Sequence, residues 1–193
     1  MALRIFLLLF CLSFSAQAQL SVPHTFAVLR TSQGDIRLKL YNRDSPKTVE
    51  NFIGLAKGVK EYRDAKSGKK VNDKPFYNGL IFHKVHPQLG IQTGCPWGNG
   101  KGWPGYTIED ETSNKLTFDR PYLVGMAKIQ GQNNSAGSQF FITTQKSPHL
   151  DGQYTVFGEV VTGQEIVKEI SRAARDSMMK PVSPIILKEV IIE

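Results

Sequence analysis

The sequence predicts a mainly β domain, a closed antiparallel barrel with two α-helices packed on its outside. In many short stretches apolar residues recur at every second position, which is typical of strands. Only two stretches have the i, i+3, i+4 spacing of an amphipathic helix. We expect closure because a closed barrel leaves no exposed sheet edge. No internal repeat or interdomain linker divides the chain.

The first 18 residues have the pattern of a secretory signal peptide. Arg4 gives a short positive region, Ile5 to Phe14 an apolar run too short to span a bilayer, and Ala16-Gln17-Ala18 a small-residue cleavage site. We therefore expect residues 1–18 to be removed and residues 19–193 to form one periplasmic or secreted domain without membrane contact. The alternative is a retained N-terminal anchor, although no stop-transfer pattern follows.

Charge and cysteine content limit the possible functions. The chain has 24 lysines and arginines against 17 aspartates and glutamates, with the excess largely between Lys57 and Lys74. These lysines lack interleaved aromatic residues and an exported protein meets little nucleic acid, so nucleic-acid binding is not expected. Cys11 leaves with the signal, and Cys95 alone cannot form an internal disulfide. A hydrophobic core must therefore stabilise the domain, for which about 175 residues suffice.

The mature chain begins with a predicted hairpin, because Thr25–Thr31 and Gly34–Tyr41 alternate apolar and polar residues around a Gln33-Gly34 turn. Ser45-Pro46 then predicts a helix start: serine can accept from free amides, and proline in the first helical position loses no hydrogen bond. Gly58 is expected to end this helix. Its apolar stripe is Val49, Phe52, Ile53 and Ala56.

The middle of the chain predicts a surface loop, a strand and a cleft. Residues 59–79 are polar and rich in lysine and glycine, which is typical of a surface loop, and Leu80–Val85 reads as a strand. Between His86 and Pro121 the density of glycine and proline fits irregular backbone around a cleft. Gly100–Gly105 matches the dinucleotide pattern G-x-G-x-x-G, but Pro104 and the extended residues after it exclude the helix start that such a site requires.

Two further strands and a second helix complete the prediction. Gly137–Thr144 is a strand whose alternation puts Gln139 and Phe141 on one face, and Phe140 and Ile142 on the other. Thr162 and Glu165 have the spacing of a capping box. The helix stripe that follows is Ile166, Val167, Ile170 and Ala174. The last predicted strand is Ile185–Ile192.

Several motifs, taken together, resemble the cyclophilins, the peptidyl-prolyl isomerases. They are Pro75–His83, Phe82–Val85, Ile91–Gly94, Gly137–Thr144, Leu150–Gly152 and Val156–Gly158. The resemblance runs from about Phe26 to the C-terminus and is strongest to exported, single-domain bacterial members. It implies an eight-stranded barrel capped by two helices and peptidyl-prolyl cis-trans isomerase activity (EC 5.2.1.8).

Prolyl isomerisation fits the absence of a nucleophile motif. Resonance opposes rotation of the peptide bond by about 18–20 kcal/mol, so X-Pro isomerisation is slow. A catalyst needs an apolar pocket for the proline ring, polar groups for the flanking backbone and a donor near the prolyl nitrogen. It needs no cofactor. No metal is expected either, because His83 and His86 fall on opposite faces of a strand and no second ligand cluster exists.

The resemblance also assigns the site residues. The catalytic positions are Lys84, where most members have arginine, and Gln92, which corresponds to the glutamine that holds the substrate carbonyl. The expected substrate-binding residues are Phe82, Leu89, Met126, Ala127, Gln139, Phe141, His149, Leu150 and Tyr154. Phe141 corresponds to the floor of the proline pocket and Leu150 to one wall.

Departures from the family pattern predict altered activity. Lysine is a flexible point charge where arginine offers a planar fork, so Lys84 predicts a reduced rate. Leu89-Gly90 replaces a Phe-Met pair, and each trimmed side chain removes roughly 1.5–3 kcal/mol of burial. His149 in place of tryptophan predicts poor affinity for cyclosporin, and Tyr154 replaces a histidine. The segment 129–136 is about two residues longer than in the best-known members.

We therefore expect a monomeric isomerase whose partners are proline-containing segments of exported proteins. The alternative is a cyclophilin-like barrel with little turnover that binds such segments as a chaperone or adaptor. Lys84, Leu89 and Gly90 favour that alternative. A small-molecule-binding barrel of lipocalin type is a weaker third hypothesis, because it explains neither the Gln-Phe-Phe stretch nor the glycine-rich cleft.

Overall fold

The computed structural model describes residues 24–113 and 115–193, so the expected signal peptide, residues 1–18, lies outside the described residues. The described chain is mainly β, with two α-helices, α1 (Pro46–Lys57) and α2 (Gln164–Ser171). The strands are β1 (Phe26–Thr31), β2 (Asp35–Leu40), β3 (Tyr62–Arg63), β4 (Lys70–Val71), β5 (Leu80–Ile81), β6 (Lys84–His86), β7 (Gly90–Thr93), β8 (Leu123–Met126), β9 (Phe140–Ile142), β10 (Val156–Thr162) and β11 (Ile186–Ile192).

Nine of these strands form one antiparallel sheet, in the order β5-β11-β1-β2-β10-β8-β9-β7-β6, and β3 pairs with β4 in a separate ribbon. The sheet is curled into a half-barrel and is not closed, which corrects the prediction of a closed eight-stranded barrel. The reason lies in the predicted strand Leu80–Val85, which breaks in two. The amide of Phe82 donates to Ile185 O beside β11, whereas the amide of His83 donates to Gln92 O on β7. The chain therefore pairs on the β11 side up to Phe82 and with β7 from His83 onward, so β5 and β6 remain the two edges of the sheet.

The predicted hairpin and the C-terminal end of α1 are confirmed. Strands β1 and β2 pair antiparallel, with Ala27 opposite Leu38, and the alternating residues Ile36, Leu38 and Leu40 are buried. Helix α1 starts at Pro46 and ends at Gly58, whose φ of 75° is the left-handed conformation that glycine adopts without a steric penalty. The sequence pattern was therefore sufficient to locate this helix.

The N-terminal cap of α1 differs from the prediction. Ser45 makes no capping hydrogen bond with its side chain, and its hydroxyl donates instead to Val156 O at 2.6 Å. The carboxylate of Glu111 accepts from the amides of Lys47 at 3.1 Å and Thr48 at 2.8 Å. A negative charge at a helix N-terminus is favourable because it meets the positive end of the helix dipole. The cap therefore ties α1 to the cleft segment.

Helix α2 is shorter than predicted. Gly163, with φ 91°, occupies the N-cap position, so Thr162 and Glu165 do not form the expected capping box. The helix ends at Ser171, which leaves Ala174 outside it and exposed. Neither helix in the described part of the chain is long and apolar enough to cross a membrane.

An aromatic cluster in the core reaches the Gly137–Thr144 stretch. It consists of Phe52, Tyr77, Phe140 and Phe157, with ring centroids 5.3–6.4 Å apart. Tyr77 is buried with Phe76, so residues 59–79 are not a surface loop throughout: the two aromatic side chains fill the core. The hydroxyl of Tyr77 donates to Ser138 O at 3.1 Å, which fixes the backbone just before β9.

Candidate active site

Strand register places Lys84, Gln92 and Phe141 side by side on one face of the sheet. Lys84 lies opposite Gln92, Gln92 opposite Phe141, and Phe141 opposite Gly125. Directly opposed residues in antiparallel strands share a face, so these residues form one row. The neighbouring row is buried and faces the core; it consists of Val85, Ile91, Ile142 and Val124. The predicted alternation of Gln139 and Phe141 against Phe140 and Ile142 is confirmed.

Phe141 forms part of the lining of a cavity of about 310 Å³, which we call the Phe141 cavity. Its ring stacks on Phe118 at a centroid distance of 5.6 Å, and Tyr154 meets it edge-on, also at 5.6 Å. A Cβ on Gly125 would lie 2.3 Å from Cζ of Phe141, so glycine is required beneath the ring. The other predicted site residues around this cavity are Lys84, Leu89, Gln92, Ala127, His149 and Leu150.

The backbone explains why the wall of the Phe141 cavity at Leu89 and Gly90 lacks a second large side chain. Leu89 is 48% exposed at the rim of the cavity. Gly90 has φ 127°, and a Cβ there would lie 2.1 Å from Ile142 O on β9. A methionine at this position would push β7 away from β9. Gly90 is therefore required by the backbone, and the pocket wall at this point consists of main chain.

The two glutamines form a fixed network next to Phe141. Gln92 Nε2 donates to Gln139 Oε1 at 3.0 Å, and Gln139 Nε2 donates to the carbonyls of Gly100 at 2.9 Å and Gly102 at 2.8 Å. An amide nitrogen has two hydrogens, so Gln92 keeps one donor for a ligand while Gln139 holds it in place. The side chain of Lys84, which is exposed, supplies an ammonium group on the neighbouring strand.

A second cavity, of about 600 Å³, continues from the first, and we call it the Gln139 cavity. The two cavities share Gln92, Ala127 and Lys128 as lining residues. The opposite wall is the glycine-rich segment 100–103, as the sequence predicted for a cleft of irregular backbone. Together they form a groove with the Gln92 amide at its centre, which suits an extended chain rather than a compact ligand.

A buried ion pair fixes the part of the wall that the two cavities share. Lys128 Nζ lies 2.5 Å from Asp110 Oδ2, and the side chains are only 7% and 10% exposed. The amide of Asn134 donates to the same carboxylate oxygen, and Asn134 Oδ1 accepts from the amide of Asp110. The sequence did not predict this pair. Its effect is to anchor the long segment 129–136 to the cleft.

His83 is buried directly behind the exposed Lys84. It is 6% exposed, and neither ring nitrogen has a hydrogen-bond partner among the described protein atoms. Burial, with a smaller contribution from the charge of Lys84, lowers the pKa of His83 to about 4. The imidazole is therefore neutral at pH 7. The described residues contain no group of three or more side chains suited to hold a metal ion.

Two predicted substrate-binding residues lie outside the groove, and three important residues were not predicted. Phe82 and Met126 are buried in the core: Phe82 lies at the break between β5 and β6, and Met126 pairs with the inward-facing Phe140. The unpredicted residues are Phe118, Gly125 and Asp110. Gly125 alone had a sequence signal, because a glycine inside an apolar strand indicates close approach of another group.

The half-barrel carries a groove in which an aromatic ring, an amide and an ammonium group lie side by side. In the Phe141 cavity polar and apolar side chains meet, and Gln92 and Lys84 supply amide and ammonium donors beside the ring. The comparisons with known proteins agree. Residues 26–192 match the family model of the cyclophilin-type peptidyl-prolyl cis-trans isomerases.

Curated relatives and solved structures with the same description cover most of the chain. Peptidyl-prolyl cis-trans isomerase A of Mycobacterium tuberculosis is 44% identical over 170 residues, which are 86% of this chain and 91% of the relative. Peptidyl-prolyl cis-trans isomerase B of Streptomyces anulatus is 38% identical over 171 residues, which are 87% of this chain and 96% of the relative. A cyclophilin of Cryptosporidium parvum, crystallised in the presence of the dipeptide Ala-Pro, is 32% identical and has a TM-score of 0.74. The match covers 87% of this chain and 98% of that structure.

The chain therefore belongs to the cyclophilin family, and its activity is that of a peptidyl-prolyl cis-trans isomerase.

Proposed function

We propose that Lys84, Gln92 and Phe141 isomerise X-Pro bonds in exported polypeptides while these fold. The observation that supports this assignment is the single cross-strand row in which an ammonium group, an amide and an aromatic ring lie side by side. The proline ring packs against Phe141, and the free donor of Gln92 holds the adjacent carbonyl. The ammonium group of Lys84 donates to the prolyl nitrogen as the bond twists, which stabilises the transition state by weakening the amide resonance.

We expect turnover to be slower than with arginine at position 84. The ammonium group of Lys84 is exposed, and no hydrogen bond or ion pair holds it among the described residues. A guanidinium group could brace itself on Gln92 while donating to substrate, whereas lysine must be ordered in each catalytic event. The cost is rotameric entropy, about 1–2 kcal/mol at most for a long side chain.

The N-terminal sequence pattern is our basis for proposing exported proteins as the substrates. Residues 1–18 read as a signal peptide, which supports action on exported proteins in the periplasm or outside the cell. Every residue described as lining the groove comes from this one chain, so we propose that a monomer is the active form.

A chaperone or adaptor with little turnover is the second candidate. It is favoured by the half-exposed Leu89 and by Gly90, which leave one side of the Phe141 cavity with few apolar contacts. Fewer contacts hold the proline ring less firmly in the orientation that Lys84 requires, although an extended segment still fits the groove.

Two assays on the processed protein distinguish these candidates. The first follows cis-to-trans isomerisation of a short X-Pro peptide, and the second follows refolding of a client whose slow step is prolyl isomerisation. We expect acceleration in both, and a strongly reduced acceleration in both with Phe141→Ala. Background rates in both assays, together with suppressed aggregation of the unfolded client, would favour the chaperone. N-terminal sequencing of the exported protein tests cleavage after Ala18; an uncleaved N-terminus would contradict it.

A further inference from the structure

The basic residues of this protein are concentrated beside the groove. Residues 57–74, which we call the basic segment, contain seven lysines and arginines and three acidic residues, a net charge of +4 against +7 for the whole chain. The ribbon β3-β4 shapes this segment, and most of its side chains are exposed. A structural loop of this kind needs no such excess of one sign, so the charge calls for a functional explanation.

Two of the three acidic residues in the basic segment already interact within the protein. Glu61 forms an ion pair with Lys70 at 2.8 Å. Asp64 Oδ1 accepts from the backbone amides of Lys66 at 3.2 Å and Ser67 at 2.8 Å. Lys66 and Lys69 are exposed, and among the described residues neither side chain has an ion-pair partner. These two ammonium groups are therefore open to an outside ligand.

The basic segment packs against the wall of the Gln139 cavity. The amide of Arg63 donates to Pro104 O at 2.8 Å, and Trp97 Nε1 donates to Ala65 O at 3.1 Å. Pro104 directly follows Trp103, a lining residue of that cavity. Lys101 lies on the same wall and is exposed. The basic segment therefore contacts the back of the wall that carries Lys101.

Acidic residues near this end of the groove do not neutralise it. Glu109 forms an ion pair with Lys47, and Asp110 forms the buried pair with Lys128. Glu111 caps helix α1 through its carboxylate. All three carboxylates follow Thr107, which lines the Gln139 cavity, yet each is engaged within the protein. These three carboxylates are therefore already engaged and do not pair with Lys101 or with the basic segment.

We propose that the basic segment and Lys101 form an extension of the groove that binds acidic residues of the client polypeptide flanking its proline. This inference rests on the proposed function, because it requires the client to lie in the groove. Exposed charges act mainly by attraction during encounter, over about 8 Å at physiological ionic strength. The preference must therefore weaken as salt is added.

The test compares two X-Pro peptides of equal length, one with aspartates and one with asparagines flanking the same proline. The variant is Lys66→Glu/Lys69→Glu. The matched control is Lys168→Glu/Lys188→Glu, which changes net charge equally at exposed positions on α2 and β11. We expect kcat/KM at low salt to favour the acidic peptide by about tenfold in the natural protein and in the control. In Lys66→Glu/Lys69→Glu, or at high salt, this ratio falls to about one.

Equal rates for both peptides in the natural protein would overturn the proposal, as would an equal fall of the ratio in the control. Peptide affinities measured by fluorescence anisotropy keep this result separate from the proposed function. A protein that accelerates neither peptide yet binds the acidic one more tightly refutes the isomerase role and retains the acidic preference. Binding of anionic vesicles or single-stranded DNA that depends on Lys66 and Lys69, without any peptide preference, would assign the segment to those ligands instead.

Discussion

Phe140 and Phe141 are neighbours in strand β9, yet they belong to two different regions of the molecule. Phe140 is fully buried and meets Phe52 and Tyr77 in edge-on contacts inside the half-barrel. Phe141 lies on the outer face, where Phe118 stacks on its ring, Tyr154 meets it edge-on and the ring borders a cavity. The same residue type therefore serves the core in one position and the groove in the next.

Strand β6 and the residue before it repeat this division. His83 is buried and neutral, and Lys84 is exposed in the groove. The inner row packs in the core, and the outer row presents the side chains that line the groove. Inner-row substitutions should therefore change stability, and outer-row substitutions should change activity. Three predictions test this division.

The largest effect is expected for Phe140→Ala. Removing a fully buried phenylalanine ring costs about 3–5 kcal/mol, because lost burial and a residual cavity both destabilise the fold. Chemical denaturation gives the free energy of unfolding directly. Phe141→Ala is the matched comparison, and its loss of stability should be clearly smaller. Equal losses in the two variants would show that the two faces are not energetically distinct.

His83 makes the stability depend on pH. Because its pKa is about 4 in the folded protein and about 6.5 when unfolded, the unfolded chain binds a proton between these values that the folded chain does not. Stability therefore falls as pH drops from 6.5 to 4, by up to about 3 kcal/mol. In His83→Leu this contribution is absent, so unfolding free energies measured from pH 7 to 4 should fall less steeply. Parallel curves would contradict the burial of a neutral imidazole.

Phe141→Ala should lower activity rather than stability. The proline ring loses its apolar floor, and contacts worth roughly 1.5–3 kcal/mol correspond to a 10- to 100-fold lower kcat/KM. Phe141→Leu, which keeps an apolar side chain, should recover part of the loss. An unchanged kcat/KM in Phe141→Ala would remove this residue from the ligand site.

Local patterns in the sequence were sufficient for much of the fold and site. Period-two alternation separated Phe140 from Phe141, and the Pro46 and Gly58 signals located α1. What the sequence did not predict depends on contacts between distant residues. The cap of α1 comes from Glu111, more than 60 positions along the chain. The sheet is not closed because the chain leaves the β11 side at Phe82 and pairs with β7 from His83 onward.

The site followed the same rule. The family resemblance singled out Lys84, Gln92 and Phe141, and the strand register of the structure shows that they are cross-strand neighbours on one face. Met126 was predicted to bind substrate but faces inward, since it lies opposite Phe140. The sequence could not show that Phe118 stacks on Phe141, because the two are joined only through the fold.

The central claim is that Lys84 donates to the prolyl nitrogen, and one measurement tests it most directly. The cis-to-trans rate of a short X-Pro peptide is compared for the natural protein, Lys84→Ala and Lys84→Arg. Loss of the ammonium group should lower kcat/KM by at least tenfold, because a charge-assisted hydrogen bond contributes about 1.5–3 kcal/mol. Lys84→Arg should exceed the natural protein. Equal rates in all three proteins would contradict the donor role of Lys84.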